Sequence, residues 1–592
     1  MTDDNQRPAP VSFLTTPVTE ATFLTPEKFD DEQRLVRESA RTFIQREVLP
    51  RSEAIDHQEP GVLPGLVRQA GEQGLLMIDI PEQYDGAELG LIVSAIVAAE
   101  MREASFAVAH GAHTTIGTLP IVFYGTEDQK RRYLPRLASG ELIGAYALTE
   151  PGVGSDAMAI RTRAVLDEDG KHYVLNGSKQ WISNAGFADL MIVFAKVDDT
   201  KHTAFIVETA WPGISTGAEE RKMGIKGSST RSVYFDNVRV PVENVLGEIG
   251  KGYKIAFNIL NIGRLKLGAG AAGGARAALD MAAAYTNERK AFGRPLHSFG
   301  LIKKKLANMA ADIYGAEALA YRTVGMVEDA RRAAGDDQQA QLAAIEDYAI
   351  ECSIAKVYGS EALGREVDEG VQIFGGYGFM QDYPIEKAYR DARINRIFEG
   401  TNEINRLVTS GTLFERAMGG KIDLFTPFPG IEEQVSGGGA PDFAGPETPA
   451  GLRESVNILE RAKRASIYAA LKGAMKYMSS MREEQEFLEY AANLLIDLYA
   501  ADSALGRALE AARAGAADAH THELLARMEV LRLLPELRVN LEGALAMTFD
   551  GAERRAELAK VRGYLGDPEG DLVPLQRELA GIVADKGGYP LE

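Results

Sequence analysis

Between residues 251 and 418 apolar side chains return every three or four positions. Ile302, Leu306, Met309 and Ile313 are spaced by four, three and four, and Ile350, Ile354 and Val357 by four and three, the period of helices buried along one face. The pattern predicts an α-helical domain over 251–424. From Tyr146 to about 250 the period shortens: KHYVL from Lys171, DLMIVFAKV from Asp189, HTAFIVE from His202 and VYFDNVRV from Val233 are short, β-rich runs. With Asn176-Gly177 as a hairpin turn, they predict a small β-domain over 146–250, preceded by a short strand from Ala145 to Thr149. Residues 25–145 read as helices punctuated by Gly and Pro, as in Gly61 to Gly65 and Pro81 to Gly90. The stretch 425–451 is rich in Pro, Gly and charge and reads as a linker crossing the surface, and 452–592 is helical again. The fold class is mainly α with an inserted β-domain and an extra C-terminal α-domain. Residues 1–24 read as a disordered or draped arm.

The last domain carries an internal echo. ANMAADIYGAEALAYR from Ala307 and ANLLIDLYAADSALGR from Ala492 share Ala, Asn, Asp, Tyr and the final Arg at one fixed offset, which predicts a duplicated helical hairpin. The second copy would pack where a partner's first copy could otherwise sit, restricting assembly.

Composition narrows the function classes. The 592 residues imply about four domains on ordinary domain sizes, and 45% apolar content is ample for buried cores. Lys and Arg number 65 against 85 Asp and Glu, a formal charge of −20, which argues against nucleic acid as a partner. Cys352 is the single cysteine, so an intrachain disulfide and a Cys-rich metal site are excluded and a reducing compartment fits. The opening MTDDNQRPAPVSFLTT lacks a basic start followed by an apolar core. No run approaches the ~18–20 apolar residues of a membrane span, so a cytoplasmic location is expected. The histidines form no HExxH motif, His520 and His522 read as part of a polar loop, and no metal is expected.

Candidate chemistry concentrates at Gln372 to Arg406. Glu399 stands between apolar Ile397-Phe398 and a Gly400-Thr401 step that should break a helix; a carboxylate in such a dry setting has a raised pKa and can act as a general base on a carbon acid. A cap or solvated side chain is the competing reading. Gly375, Gly376 and Gly378 follow a helical stretch and fit a loop close to a ligand. The YALTEPGVGSD run from Tyr146 could line a polar planar ligand or form a solvent turn, and Trp181-Ile182-Ser183 could stand beside it or be core. Arg289, Lys290 and Arg294 flank Phe292-Gly293, and Arg289 could hold a phosphate. The formal GxGxxG match at Gly268 lies in a small-residue helix with no preceding strand, so close helix packing is the better reading.

These motifs, in this order and on this layout, resemble the acyl-CoA dehydrogenase family from Thr25 to about Met418. KMGIKGS from Lys222, VRVPVENVLGE from Val238, NILNIGR from Asn258, HSFGLI from His297 and the helical extension look like its very-long-chain branch. The resemblance implies an N-terminal α-domain, a middle β-domain and a C-terminal four-helix-type domain, bound FAD and a fatty acyl-CoA substrate. Tyr146, Leu148, Thr149, Ser155, Trp181 and Ser183 would surround the isoalloxazine. Arg289, Phe292, Gln372, Gly375 and Gly376 would reach pyrophosphate and adenosine, partly across the subunit interface of a homodimer, while Thr401 and Glu403 close over the cofactor. Asn261 and Arg264, with Ser155, would line the CoA chain, and Phe398 to Gly400 would meet the thioester.

Glu399 would remove the pro-R α-proton as the β-hydrogen leaves as hydride, giving a trans-2-enoyl-CoA, with electrons passing to an electron-transferring flavoprotein. Some relatives place the base where Asn261 to Arg264 lie; no carboxylate stands there, which leaves Glu399 alone. Glu403 replaces a commonly uncharged residue, and Phe299-Gly300 stands where many relatives have Phe-Gln. Small residues in HGAHTTIG from His110 would leave room for a long acyl tail. An acyl-CoA oxidase and a scaffold that kept the fold are the competing functions. In the extension, Arg461, Lys463, Arg464, Lys472, Lys476 and Arg482, with Ile467, Leu471, Met475 and Met478, fit either a helix lying on an anionic membrane or a helix packed on its own domain.

Overall fold

A computed structural model describes residues 9–335, 337–437, 441–568 and 570–591. Helices α1 (Asp31–Phe43), α2 (Ser52–Asp56), α3 (Val62–Glu72), α4 (Gly90–Glu100), α5 (Ala104–Gly111), α6 (Leu119–Tyr124) and α7 (Glu127–Ala138) come first. Asp30 with Gln33 and Thr126 with Gln129 form capping boxes that start α1 and α7.

The β-region follows as β1 (Gly144–Ala147), β2 (Arg163–Leu166), β3 (His172–Ser183), β4 (Leu190–Val197), β5 (Lys201–Glu208), β6 (Ile214–Thr216), β7 (Thr230–Pro241) and β8 (Val245–Leu246). Strand order is β6-β7-β3-β2-β4-β5-β8, with β1 parallel to β4. The unbroken apolar run of β4 follows from burial on both faces. Leu190, Ile192 and Phe194 join the helical core, while Met191, Val193 and Ala195 join the β-core. Asn176-Gly177 is not a hairpin turn. It lies inside β3 at a bulge against β7, where the Asn176 side chain bonds both the amide and the side chain of Asn237, and a Cβ at Gly177 would come within 2.7 Å of Thr162 Oγ1. The first strand stops at Ala147 rather than Thr149, because Glu150 and Val153 pair in a tight turn.

Next come α8 (Gly252–Glu288), α9 (Gly300–Ala333), α10 (Gln338–Asp347), α11 (Ala349–Phe374), α12 (Pro384–Ala392) and α13 (Asn402–Met418). Two glycines of the GxGxxG match, Gly268 and Gly273, serve packing. A Cβ at Gly268 would stand 2.7 Å from the Ala355 carbonyl of α11, and one at Gly273 would overlap the Ala99 carbonyl of α4.

The extension comprises α14 (Phe428–Gly437), α15 (Arg453–Tyr477), α16 (Gln485–Arg513), α17 (Ala519–Thr548), α18 (Gly551–Leu565) and α19 (Leu572–Lys586). Here two expectations change. The supposed linker contains α14, held by buried Phe428, Ile431 and Val435. His520 and His522 lie in the first turn of α17 rather than a loop, and buried His522 bonds the Tyr314 hydroxyl. In α15, Ile467 and Leu471 are buried, and fully buried Lys463 pairs with Glu460 and Asp502. These residues pack on the helix's own domain, while Met475, Lys476 and Met478 at its C-terminal end stand exposed.

The two copies of the echo pack on each other through α9 and α16 with reciprocal contacts. Arg322 lies over Tyr499 and pairs with Asp502; Arg507 lies over Tyr314 and pairs with Glu317. Each residue in one contact is the counterpart, at the same offset, of a residue in the other, which is the signature of an isologous interface made within one chain. The N-terminal arm is draped over this junction from residue 9 onward. Val11 donates its amide to Glu351 and Val18 to Glu460, while Arg507 grips Glu27; residues 1–8 lie outside the described residues.

Candidate active site

Glu399 sits in the tight passage between a 3-10 turn, Arg393–Arg396, and α13. It holds φ of 57° and Gly400 holds φ of 80°. A left-handed non-glycine residue costs about 1–2 kcal/mol, so the passage has to be held from outside, and three side chains hold it. Arg264 Nε donates to the Glu399 carbonyl at 3.2 Å. Lys356 Nζ donates to the Gly400 carbonyl at 2.7 Å and to Asn402 Oδ1 at 2.6 Å. Asn405 Nδ2 lies within bonding distance of the carbonyls of Glu399, Gly400 and Thr401. Thr401 caps α13 by accepting from the Ile404 amide, and Glu403 stands exposed in its first turn.

The carboxylate Oε2 is buried and has no hydrogen-bond partner, on a residue that is half-buried as a whole. Burial pushes its pKa up to about 7, against the opposing pull of the Arg264 and Lys356 cations. Burial likewise pulls the Lys356 amine down to about 7, with Glu399 holding it up. Gly263 makes room for this arrangement: a Cβ there would stand 2.7 Å from Oε2. The helix position where some relatives are expected to carry their base therefore faces the same carboxylate.

Of the expected residues, Tyr146 lies within reach of the Glu399 charge and Ser183 lines the same cavity. Tyr146 is buried with an unpartnered hydroxyl, and burial together with the Glu399 charge raises its pKa. Leu148 is buried beside it, and the Thr149 carbonyl accepts the Gln180 amide, bringing that loop against β3. Trp181 is not core: the residue is 60% exposed and holds φ of 58°. Ser155 is on the exposed loop. Arg264 donates to Asn261 Oδ1 as well as to the Glu399 carbonyl, so the two residues are linked to the backbone of Glu399.

A cavity of about 500 Å³ opens at Glu399, Phe398, Gly263 and Ser183. It follows one face of α8 through Lys266, Leu267, Gly270, Ala271, Gly274 and Ala277 to Asp280 and Met281. Opposite lie His110, Gly111, Ala112, Thr115 and Ile116, as well as Leu363 and Val367 of α11. Seventeen residues of α8 at 1.5 Å each make this tunnel about 25 Å long.

A second cavity, about 440 Å³, is lined by Tyr285, Arg289, Leu296, Gly375, Gly376 and Tyr377. Gly375, at φ of 62°, and Gly376 have open space where a Cβ would stand, whereas a Cβ at Gly378 would strike the Val371 carbonyl. Two of the three glycines thus keep a surface clear and the third closes a turn. Gln372 and Phe292 lie exposed nearby in sequence, Phe292 almost completely. The two cavities share no lining residue, so the residues expected at one cofactor fall into two groups within a single chain.

Family models match in the order expected from the layout: "Acyl-CoA dehydrogenase, N-terminal domain" over residues 30–141, the middle domain over 145–238 and the C-terminal domain over 250–413. A further "Acyl-CoA dehydrogenase, C-terminal domain" model matches 461–563. A curated relative described as a probable acyl-CoA dehydrogenase of Bacillus subtilis (strain 168) is 44% identical over 98% of both chains. The chain belongs to the acyl-CoA dehydrogenase family. Within that family, the human very long-chain specific acyl-CoA dehydrogenase, mitochondrial, is 42% identical over 66% of this chain and 59% of its own. A crystal structure of an acyl-CoA dehydrogenase complexed with FAD from Bacillus anthracis superposes with a TM-score of 0.95 at 43% identity, covering 98% of this chain and 100% of that one. This acyl-CoA dehydrogenase fold therefore includes the extension as a shared feature.

Sequence reasoning missed Lys356, Asn402 and Asn405. Lys356 carried a usable signal, an amine inside the apolar face marked by Ile354 and Val357. Asn402 and Asn405 carried none, since polar residues in a first helical turn are ordinary.

Proposed function

We propose that this protein is an FAD-dependent dehydrogenase that converts long-chain fatty acyl-CoA to trans-2-enoyl-CoA and passes the electrons to an electron-transferring flavoprotein. The observation that carries this reading is a buried carboxylate, its pKa raised to about 7, at the head of an apolar tunnel about 25 Å long. The residues fit FAD. Ser183 lines the tunnel head, the unpartnered Tyr146 hydroxyl feels the Glu399 charge and Trp181 stands exposed two residues before Ser183, while Arg289 and the cleared backbone of Gly375-Gly376 line a basic cavity suited to a pyrophosphate. Because these groups occupy separate cavities, the reading implies a homodimer in which each chain completes its partner's cofactor site. When bound, FAD supplies the two-electron acceptor for the hydrogen leaving the β-carbon.

The chain's own contribution is proton removal and positioning. Glu399, ionised, takes the α-proton onto its carboxylate, whose buried Oε2 has no hydrogen-bond partner. Its high pKa makes it a strong enough base while half of it is still ionised near pH 7. Lys356, Arg264 and Asn405 fix the backbone that aims it, and the surrounding apolar wall excludes water. The thioester oxygen gains charge as the proton leaves, and the Glu399 amide is the donor assigned to it, an interaction worth several kcal/mol in a dry site.

Anaerobic mixing of the yellow holoenzyme with palmitoyl-CoA tests the proposal. Bleaching of the visible flavin band is expected, and its absence overturns the reading for that substrate; rapid recolouring in air would favour an oxidase. Glu399→Gln should retain FAD and lose bleaching.

A further inference from the structure

The far end of the tunnel is built from two parts of the chain that are distant in sequence. Asp280 and Arg102 line it and face one another at 3.5 Å. Their side chains are 34% and 23% exposed, so the pair stands between the tunnel and solvent. Arg102 Nε is buried without a partner, which leaves the guanidinium dependent on Asp280 for its placement.

Asp280 is itself held from behind by the segment that follows α19. The Tyr589 amide donates to Asp280 Oδ1 at 2.9 Å. The neighbouring Gly588 lies so close that a Cβ would come within 2.5 Å of the same oxygen. One turn earlier on α8, Arg276 donates to the Leu591 carbonyl at 2.8 Å and stacks 4.9 Å from the Tyr589 ring. Further along, Asn287 donates to the Ala584 carbonyl. Tyr589 and Leu591 are both buried. The extension thus reaches the back of the helix whose front lines the tunnel.

We propose that residues 588–591 are positioning residues for acyl-chain selection: they hold Asp280 against Arg102 and so keep the far end of the tunnel closed to water. This rests on the acyl-CoA reading above and adds which chains the closure serves. A staggered carbon chain with 1.52 Å bonds and 111° angles advances about 1.25 Å per carbon. A tunnel of about 25 Å therefore takes roughly 20 carbons before it meets the pair. Each methylene bound dry rather than wet is worth about fourfold in affinity. Opening the far end penalises chains of 18–20 carbons and leaves the contacts of a 10-carbon chain, which ends near the middle of the tunnel, out of reach.

The test is kcat/KM across saturated acyl-CoA of 8 to 22 carbons for the holoenzyme, Gly588→Val, Asp280→Ala and a chain ending at Gly587. The ratio of the 20-carbon to the 10-carbon value is expected to fall about tenfold in each variant, the loss of roughly two dry methylenes. A ratio within twofold of the parent, or a uniform loss at every length, overturns the proposal. Should the shortened chain not fold, Gly588→Val and Asp280→Ala decide. Dissociation constants of the same thioesters, measured by calorimetry, give the ratio without turnover. Failure of palmitoyl-CoA to bleach the parent enzyme would therefore reject the dehydrogenase reading while the length ratio still judges this one.

Discussion

Glu399 is expensive to keep. Its folded pKa of about 7 lies above the ordinary 4.5, so the folded state binds the proton more tightly than the unfolded chain. The stability linked to that proton is fully present below pH 4.5 and is lost as pH rises through 7, a loss on the order of 3 kcal/mol for a shift of this size. Glu399→Gln should therefore be more stable than the parent at pH 8 by up to that amount, with the difference vanishing near pH 4; denaturant titrations at both pH values check it. The same shift places the acid limb of kcat/KM near pH 7, with rate rising as Glu399 ionises. Lys356→Met removes a cation that favours the carboxylate and a donor that holds Gly400. The acid limb should move to higher pH and the plateau should fall, whereas a purely structural loss would lower the plateau without moving the limb.

The element that lines the tunnel along its length is α8, and under the proposed function it would set acyl-chain length. Gly270, Gly274 and Ala277 repeat along the face that lines the tunnel, while Gly268 and Gly273 lie against α11 and α4. One glycine-rich stretch thus meets two demands, close helix contact on some faces and open volume on another. Gly270→Leu would place a side chain across the tunnel about 10 Å from Gly263, seven residues along the helix. Activity on 16-carbon acyl-CoA is expected to fall by at least tenfold and activity on 6-carbon acyl-CoA to hold within about threefold, as a chain-length series would show. Against α4, Gly273 admits no such change, because a Cβ would overlap the Ala99 carbonyl.

At the scale of the molecule, the reciprocal contacts of Arg322 with Tyr499 and Asp502, and of Arg507 with Tyr314 and Glu317, occupy the outer face of α9. A second chain cannot use that face. Light scattering should give twice the 64.1 kDa of one chain, not four times, and a tetramer would count against this account. The draped arm adds to the junction: amides of Val11 and Val18 donate to Glu351 on α11 and Glu460 on α15, tying α11 to the extension.

The sequence by itself determined the alternation of helical and β-rich segments, the duplicated hairpin and the candidacy of Glu399. Each of these is written in local period, a repeat offset or the residues on either side of one carboxylate. What only the tertiary structure decided depends on groups far apart in the chain. Asn176-Gly177 has the composition of a turn, yet Asn237 and Thr162 make it a bulge. The basic helix α15 has the composition of a membrane helix, yet Asp502 and Glu460 take its lysine inward. Most of all, the raised pKa and the placement of Glu399 depend on Lys356, Arg264 and Gly263, which come from helices 43 to 136 residues away to hold its loop, set the charge around it and leave it room. Local pattern encodes where a chain bends and which face it buries; the dryness and the field at a single oxygen are set by everything packed around it.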